Sequence, residues 1–221
     1  MEEKDLIFKL KGLNKIAPEK KWVKTTKREI LGPTFPIFQP ILVGSLLLLV
    51  AVFVFAQKSL PGEKLYAIKR LTEKGQTFFV SKEEKPKLDL ELANKRLEEL
   101  REIAQSNDIK KLAPAMKEVK EVSAQAAKSL KQVKKPDQEI VAKTKEIEKN
   151  KVLAQKILET EIETPELNDA YKILAENQIK EIEKSSLTES QAEILNQAKE
   201  FFENGDFVSA FLKVIEASSN P

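Results

Sequence analysis

Two rhythms divide the hydrophobic residues of this chain. From Phe35 to Ala56 they form one block, FPIFQPILVGSLLLLVAVFVFA, and no charged residue occurs between Ile30 and Gln57. After it, apolar residues return every third or fourth position among lysines and glutamates. The block has the length of a membrane-crossing helix, which needs about 20 apolar residues to cover roughly 30 Å of hydrocarbon. Pro40 suits a first helical turn and Pro61 lies just past the expected end. A helix from Pro40 to Leu60 measures about 31 Å. Pro40, Ile41, Leu42, Val43, Leu47, Leu48, Leu49, Val52, Phe53 and Phe55 make up the expected transmembrane set. The competing reading is a cleavable signal, for which Val54-Phe55-Ala56 supplies a small-residue site. The arm before it exceeds about 30 residues and the apolar run exceeds the usual 7–15, so an uncleaved anchor is preferred.

The second rhythm predicts helices. Leu65, Ile68 and Leu71 share one face, and GQTFFV places Phe78 and Phe79 at a bend. Ser81 with Glu84 reads as a capping box, opening a helix whose Leu90, Ala93, Leu97, Leu100 and Ala104 form a coiled-coil-like seam. Asn107-Asp108 caps the next helix, with Ile109, Leu112, Met116, Val119, Ser123, Ala126, Leu130 and Val133 inward. Asp137 opens another, Thr164-Pro165 a further one, and Thr188 with Gln191 a second capping box. Asn204-Gly205-Asp206 turns the chain into a closing helix. The fold class expected is all-α: one N-terminal transmembrane helix, then an antiparallel helical bundle of about six helices ending in a C-terminal hairpin, short connections implying antiparallel neighbours. The domains expected are a basic cytoplasmic arm over 1–34, the transmembrane helix over 35–60, an extracytoplasmic bundle over 61–160 and a C-terminal helical segment over 161–221.

Composition narrows the chemistry. The chain is 33% charged and 6% aromatic with only six glycines, a balance for long amphipathic helices rather than sheets. It has no cysteine and no histidine, so disulfides, thiol nucleophiles, Ser-His triads and His-based zinc sites are excluded. Glu98/Glu99 and Glu161/Glu163/Glu166 are the acids left to consider, and they read as solvated faces pairing with lysines. There is no Gly-rich phosphate loop. No enzyme activity, cofactor, metal site or small-molecule substrate is expected. Residues 57–221 carry 29 Lys/Arg against 30 Asp/Glu, so a nucleic-acid partner is not expected either.

Residues 1–34 hold nine Lys/Arg against five Asp/Glu. Leu6, Leu10 and Leu13 predict a short amphipathic helix there, and Trp22 opens KKWVKTTKREIL as a docking point for a protein partner or the lipid interface. Local basic residues tie across the block: Lys20, Lys21, Lys24, Lys27 and Arg28 before it, Lys58, Lys64, Lys69, Arg70 and Lys74 after. A short basic arm stays in whereas a long segment crosses largely regardless of charge. The N-terminus is therefore expected in the cytoplasm and the C-terminal domain outside.

Past the block comes Leu60-Pro61-Gly62-Glu63-Lys64-Leu65-Tyr66-Ala67-Ile68-Lys69-Arg70, then SKEEKPKLDLELANKRLEEL. Pro61, Gly62, Leu65, Tyr66, Lys69 and Arg70, with Leu88, Leu90, Leu92, Ala93, Arg96 and Leu97, resemble the motif of the bacterial domain-of-unknown-function family 5667. Glu63 departs from it, aspartate being usual there. The resemblance covers about 59–130. It implies one span with a helical domain outside, no known reaction, and for some relatives an association with sigma or anti-sigma factors. From the residues themselves, Tyr66 and Leu65 are expected in the core, and Lys69 and Arg70 paired with acids on the next helix. The last hairpin is similar to a tetratricopeptide-type pair, one hairpin being too few for a solenoid.

The function expected is a single-pass membrane-anchored, non-enzymatic helical protein working through protein–protein contacts in the cell envelope, as scaffold or sensor. The alternative is an anti-sigma-like regulator whose arm binds a transcription factor. A carboxylate-dependent hydrolase is the least favoured reading.

Overall fold

The computed structural model of the chain describes residues 18–31 and 38–219, the side chains of Leu31 and of residues 38–42 excepted. The helix expected around Leu6 to Leu13, and the side chains of Pro40, Ile41 and Leu42, lie outside this description. All elements among the described residues are helices: α1 (Lys20–Leu31), α2 (Phe38–Gln57), α3 (Tyr66–Phe79), α4 (Lys85–Gln105), α5 (Ile109–Leu130), α6 (Gln138–Leu158), α7 (Pro165–Ile182), α8 (Glu189–Glu203) and α9 (Phe207–Ser219). The chain divides into two compact units, Met1–Val52 and Phe53–Pro221.

In the first unit, α1 exposes Trp22, Val23 and Ile30. Helix α2 begins in this unit and its residues 53–57 belong to the second; all 20 of its residues are uncharged. They end at Gln57, three short of the expected Leu60, because Lys58 and Ser59 turn back onto the carbonyls of Phe55 and Ala56. Val43, Leu47, Leu48, Leu49, Phe53 and Phe55 are exposed and Val52 is half-buried. Among the described residues no helix is long and apolar enough to cross a membrane. For α2 the side-chain description begins only at Val43.

In the second unit α4 is the central rod, packed between α5 and α6. Leu90, Ala93, Leu97, Leu100 and Ile103 of α4 meet Ala115, Val119, Val122, Ala126 and Leu130 of α5, and Ile140, Ile147 and Ala154 of α6, in one core. The Asp89–Gln125 bond matches an early α4 turn to a late α5 turn, so those two are antiparallel. The third helix keeps the up-and-down order but packs on α4 rather than on its sequence neighbour α5. Lys87 meets Asp137, Glu91 meets Lys143 and Asn94 meets Asn150, so α6 runs parallel to α4. The connection 131–137 carries the chain past the end of α4 to its other side. There Asn150 donates to Asn94 at 2.7 Å and accepts from Arg101 at 3.1 Å, a buried amide pair that matches only in this register.

The C-terminal hairpin α8–α9 forms as expected. Gly205 sits at φ +80°, a conformation that favours glycine. It packs on α7 and adds Ala210, Phe211 and Ile215 to the main core, while Val214 and Ala217 join Ile182, Leu195 and Ala198 in a smaller one.

Helix starts are mixed. Asp137 accepts from the Ile140 amide, and Thr188 with Gln191 forms the full capping box. Ser81 accepts from the Glu84 amide at 3.3 Å, but that turn precedes α4, which starts at Lys85. Asp108 and Thr164 occupy cap positions without capping, Asp108 being taken by Lys111 and the Thr164 hydroxyl accepting from Lys151. Ile109, expected inward, is exposed. Phe78 and Phe79 lie not at a bend but in the last turn of α3, both exposed.

Candidate functional site

The motif residues after α2 converge on a buried cluster of charge. Leu60-Pro61-Gly62-Glu63 forms a tight turn in which Gly62 has φ +92°. A Cβ there would also meet Lys111 Cγ at 3.4 Å. Glu63 closes the turn: one carboxylate oxygen accepts from the Leu60 amide at 3.0 Å, the other from Lys111 Nζ at 2.8 Å. The Lys111 bond, then the backbone bond, hold its carboxyl below the usual range. The glutamate that replaces the family's usual aspartate therefore performs both jobs here.

From this turn α3 begins, and it buries its charged side. Tyr66, Lys69 and Glu73 are its buried residues. They face Arg96 and Glu99 of α4, Arg96 being only 1% exposed. The Arg96 guanidinium bonds both Glu73 and Glu99 and lies 5.3 Å from the Tyr66 ring centroid. Lys69 Nζ stands 2.5 Å from Glu99, donates to the Ser59 carbonyl at 3.0 Å and lies 5.9 Å from the Tyr66 ring. Arg70 pairs with Glu118 of α5 at 2.8 Å and reaches Glu73 at 3.6 Å, and Lys95 reaches Glu73 at 3.2 Å.

Four cations thus enclose three carboxylates. Burial pushes the Glu73 carboxyl up, but the Arg96 charge and its hydrogen bond outweigh that and leave it below the ordinary range. The Tyr66 hydroxyl is pushed far up by burial. A carboxylate clamped by a guanidinium and a phenol held neutral are poor proton carriers at neutral pH. The cluster is built to hold rather than to react.

Tyr66 is buried as expected and Lys69 meets Glu99 on the next helix, whereas Leu65, expected in the core, is only half-buried and Arg70 meets Glu118 one helix further on; Pro61 is buried too. The centre of the cluster was missed. Arg96 was noted only as a motif match and Glu73 was not singled out, although Glu73 follows Lys69 by four positions and Arg70 by three, the spacings that place charges side by side on a helix.

Other acids do not converge. Of the acids expected on solvated faces, Glu99 is instead buried in the cluster, Glu98 meets Asn150 at 3.4 Å, and Glu161, Glu163 and Glu166 are exposed. Among the described residues no group of acids is placed to hold a metal ion. Asp89, fully buried, has its carboxyl raised by burial and accepts from Gln125 at 2.6 Å. It borders a cleft of about 330 Å³ lined by Lys82, Lys85 and Lys128, with no second carboxylate among the lining residues. Trp22 is 60% exposed on α1.

The family model described as "Domain of unknown function (DUF5667)" matches residues 58–219. The chain belongs to that family, and the match runs on from the motif through the C-terminal hairpin, well beyond the 59–130 expected. No curated protein matches, and no solved structure does.

Proposed function

We propose that this chain is a single-pass, membrane-anchored, non-enzymatic protein of the cell envelope. In this reading α2 is the span, residues before it face the cytoplasm, and the helices after it form an outer domain that acts through protein–protein contacts as scaffold or sensor. The observation that carries the reading is α2. It has 20 uncharged residues, about 30 Å of helix, and exposes Leu46, Leu47, Leu48, Leu49, Phe53 and Phe55. A contiguous apolar surface of that kind demands a nonaqueous neighbour. The buried cluster supports the second half: it fastens the connector to α4 and α5, so that a load on the outer domain reaches the helix end through charge-assisted bonds.

The test is protease accessibility of the doubly tagged full chain in right-side-out spheroplasts. The N-terminal tag is expected to be protected and the outer domain digested, both tags sharing one chain beforehand. A mature chain that starts near Gln57, or an outer tag protected until lysis, refutes the anchor or its orientation.

One observation favours a regulatory variant of the same topology. Trp22, Val23 and Ile30 stand exposed on the basic helix α1, at spacings that place Val23 and Ile30 on one side. If α1 binds a sigma factor, Trp22→Ala weakens its co-purification with that factor. Unchanged retention removes the variant and leaves the anchor reading intact.

A further inference from the structure

Helix α3 is inside out. The residues it buries, Tyr66, Lys69 and Glu73, lie on one side. At 3.6 residues per turn, Leu71 and Phe78 lie on the opposite side, with Phe79 toward its edge. Their exposures are 72%, 83% and 87%, and the two rings pack edge to face at 5.4 Å. The exposed Lys64 and Lys74 border this strip, and the exposed Lys82 follows the helix end.

We propose that the Leu71–Phe78–Phe79 face of α3 rests in the headgroup region of the bilayer that α2 crosses. This rests on the span reading above. Helix α2 ends at Gln57, and Lys69 Nζ grips the carbonyl of Ser59, two residues later, at 3.0 Å. The opening turns of α3 are therefore held beside the point where the apolar run stops. The 14 residues of α3 reach only about 21 Å from there. Aromatic and leucine side chains on one face, with lysines beside them, form the pattern of a helix lying in an interface that carries anionic lipid. The occupant is lipid rather than a second copy of the chain because the face begins at the membrane boundary and is bordered by cations.

The experiment uses the full chain in vesicles of phosphatidylcholine and phosphatidylglycerol. Trp22→Phe removes the native tryptophan, and Phe79→Trp places a reporter at an exposed position whose ring contact, with Phe78, an indole can keep. Lipid brominated near the headgroup is expected to remove most of the reporter's emission, and aqueous acrylamide little of it. A reporter quenched freely by acrylamide and untouched by brominated lipid overturns the proposal. One shielded from both also overturns it and assigns the face to protein, a second copy included. A parallel Leu48→Trp reporter, read with deeply brominated lipid, separates the two ideas. If it is quenched while the α3 reporter is not, the face fails and the span stands; if neither is quenched, both fail.

Discussion

Replacing Arg96 by methionine strikes the charge cluster at its centre while keeping an unbranched stem. The guanidinium is buried and bonds two carboxylates, Glu73 and Glu99. Breaking a buried ion pair by removing one partner costs about 3–5 kcal/mol, because the remaining charge stays buried without its counter-ion. Here Lys95 still reaches Glu73 at 3.2 Å and Lys69 still reaches Glu99 at 2.5 Å. The loss is therefore expected at the lower end, about 3 kcal/mol, or about 6–12 °C in Tm for a domain of this size. Urea unfolding of the full chain in detergent, followed by far-ultraviolet circular dichroism, measures it. A second variant, Glu73→Gln, closes a double-mutant cycle, in which a coupling of about 1–3 kcal/mol is expected.

The pH dependence carries the sharper test. In the parent, Glu73 sits below its ordinary value of 4.5, so it adds stability above that pH and loses it as pH falls through the lower folded value. In Arg96→Met, burial acts on Glu73 with the guanidinium gone and raises the carboxyl. A raised carboxyl costs stability at neutral pH and is relieved as it protonates. The gap between parent and variant should therefore shrink as pH drops toward about 4. A gap below about 1 kcal/mol, or one that does not change with pH, would refute the ionic account and leave packing alone.

Two further outcomes are expected in the same unfolding assay. Gly62→Ala places a side chain at φ +92° against Lys111 and should cost more than about 1 kcal/mol, seen as a lower midpoint with an unchanged denaturant slope. Tyr66→Phe removes a buried hydroxyl that has no hydrogen-bond partner among the described residues. It should leave stability within about 0.5 kcal/mol of the parent or raise it, and a loss several times larger would mean that the hydroxyl is bonded.

How far the fold was legible depended on how local each decision is. The seam of Leu90, Ala93, Leu97 and Leu100 is written at helical spacing, and all four are buried. Asp137 and Thr188 bond the nearby amide, Asp137 with one carboxylate oxygen while Lys87 takes the other. Asp108 and Thr164 carry the same signal but pair instead with Lys111, three positions on, and with Lys151 from the preceding helix, rivals that the cap pattern leaves out. The packing of α6 on α4 rather than on α5 is likewise a matter of pairs more than 50 positions apart, Asn94 with Asn150 and Glu91 with Lys143. Loop length gives the reversal of direction after α5 but not the choice of α4 as the partner. The charge cluster was half legible: Lys69 and Arg70 were expected to find acids on the next helix, which holds for Lys69 with Glu99 but not for Arg70 with Glu118, whereas Arg96 hides beside Leu97 within an apolar seam. Phe78 and Phe79 followed the helical period and were still read as a bend, since an apolar pair opposite a buried charged face contradicts the usual rule for a helix in water.

That contradiction ties the parts together. A helix free to rotate in water would turn Leu71, Phe78 and Phe79 inward, each full burial being worth about 1.5–3 kcal/mol, and leave Lys69 and Glu73 outside. Helix α3 does the reverse, and the reverse is held by bonds its neighbours provide: Arg96 and Glu99 from α4, Glu118 from α5 and the Ser59 carbonyl from the connector. Buried charge of this kind specifies orientation more surely than it stabilises. The orientation it specifies here keeps an apolar face outward beside the end of an uncharged helix. The family's motif residues from Pro61 to Arg70 thus serve less to build the core, which α4 to α9 supply, than to hold α3 in this orientation.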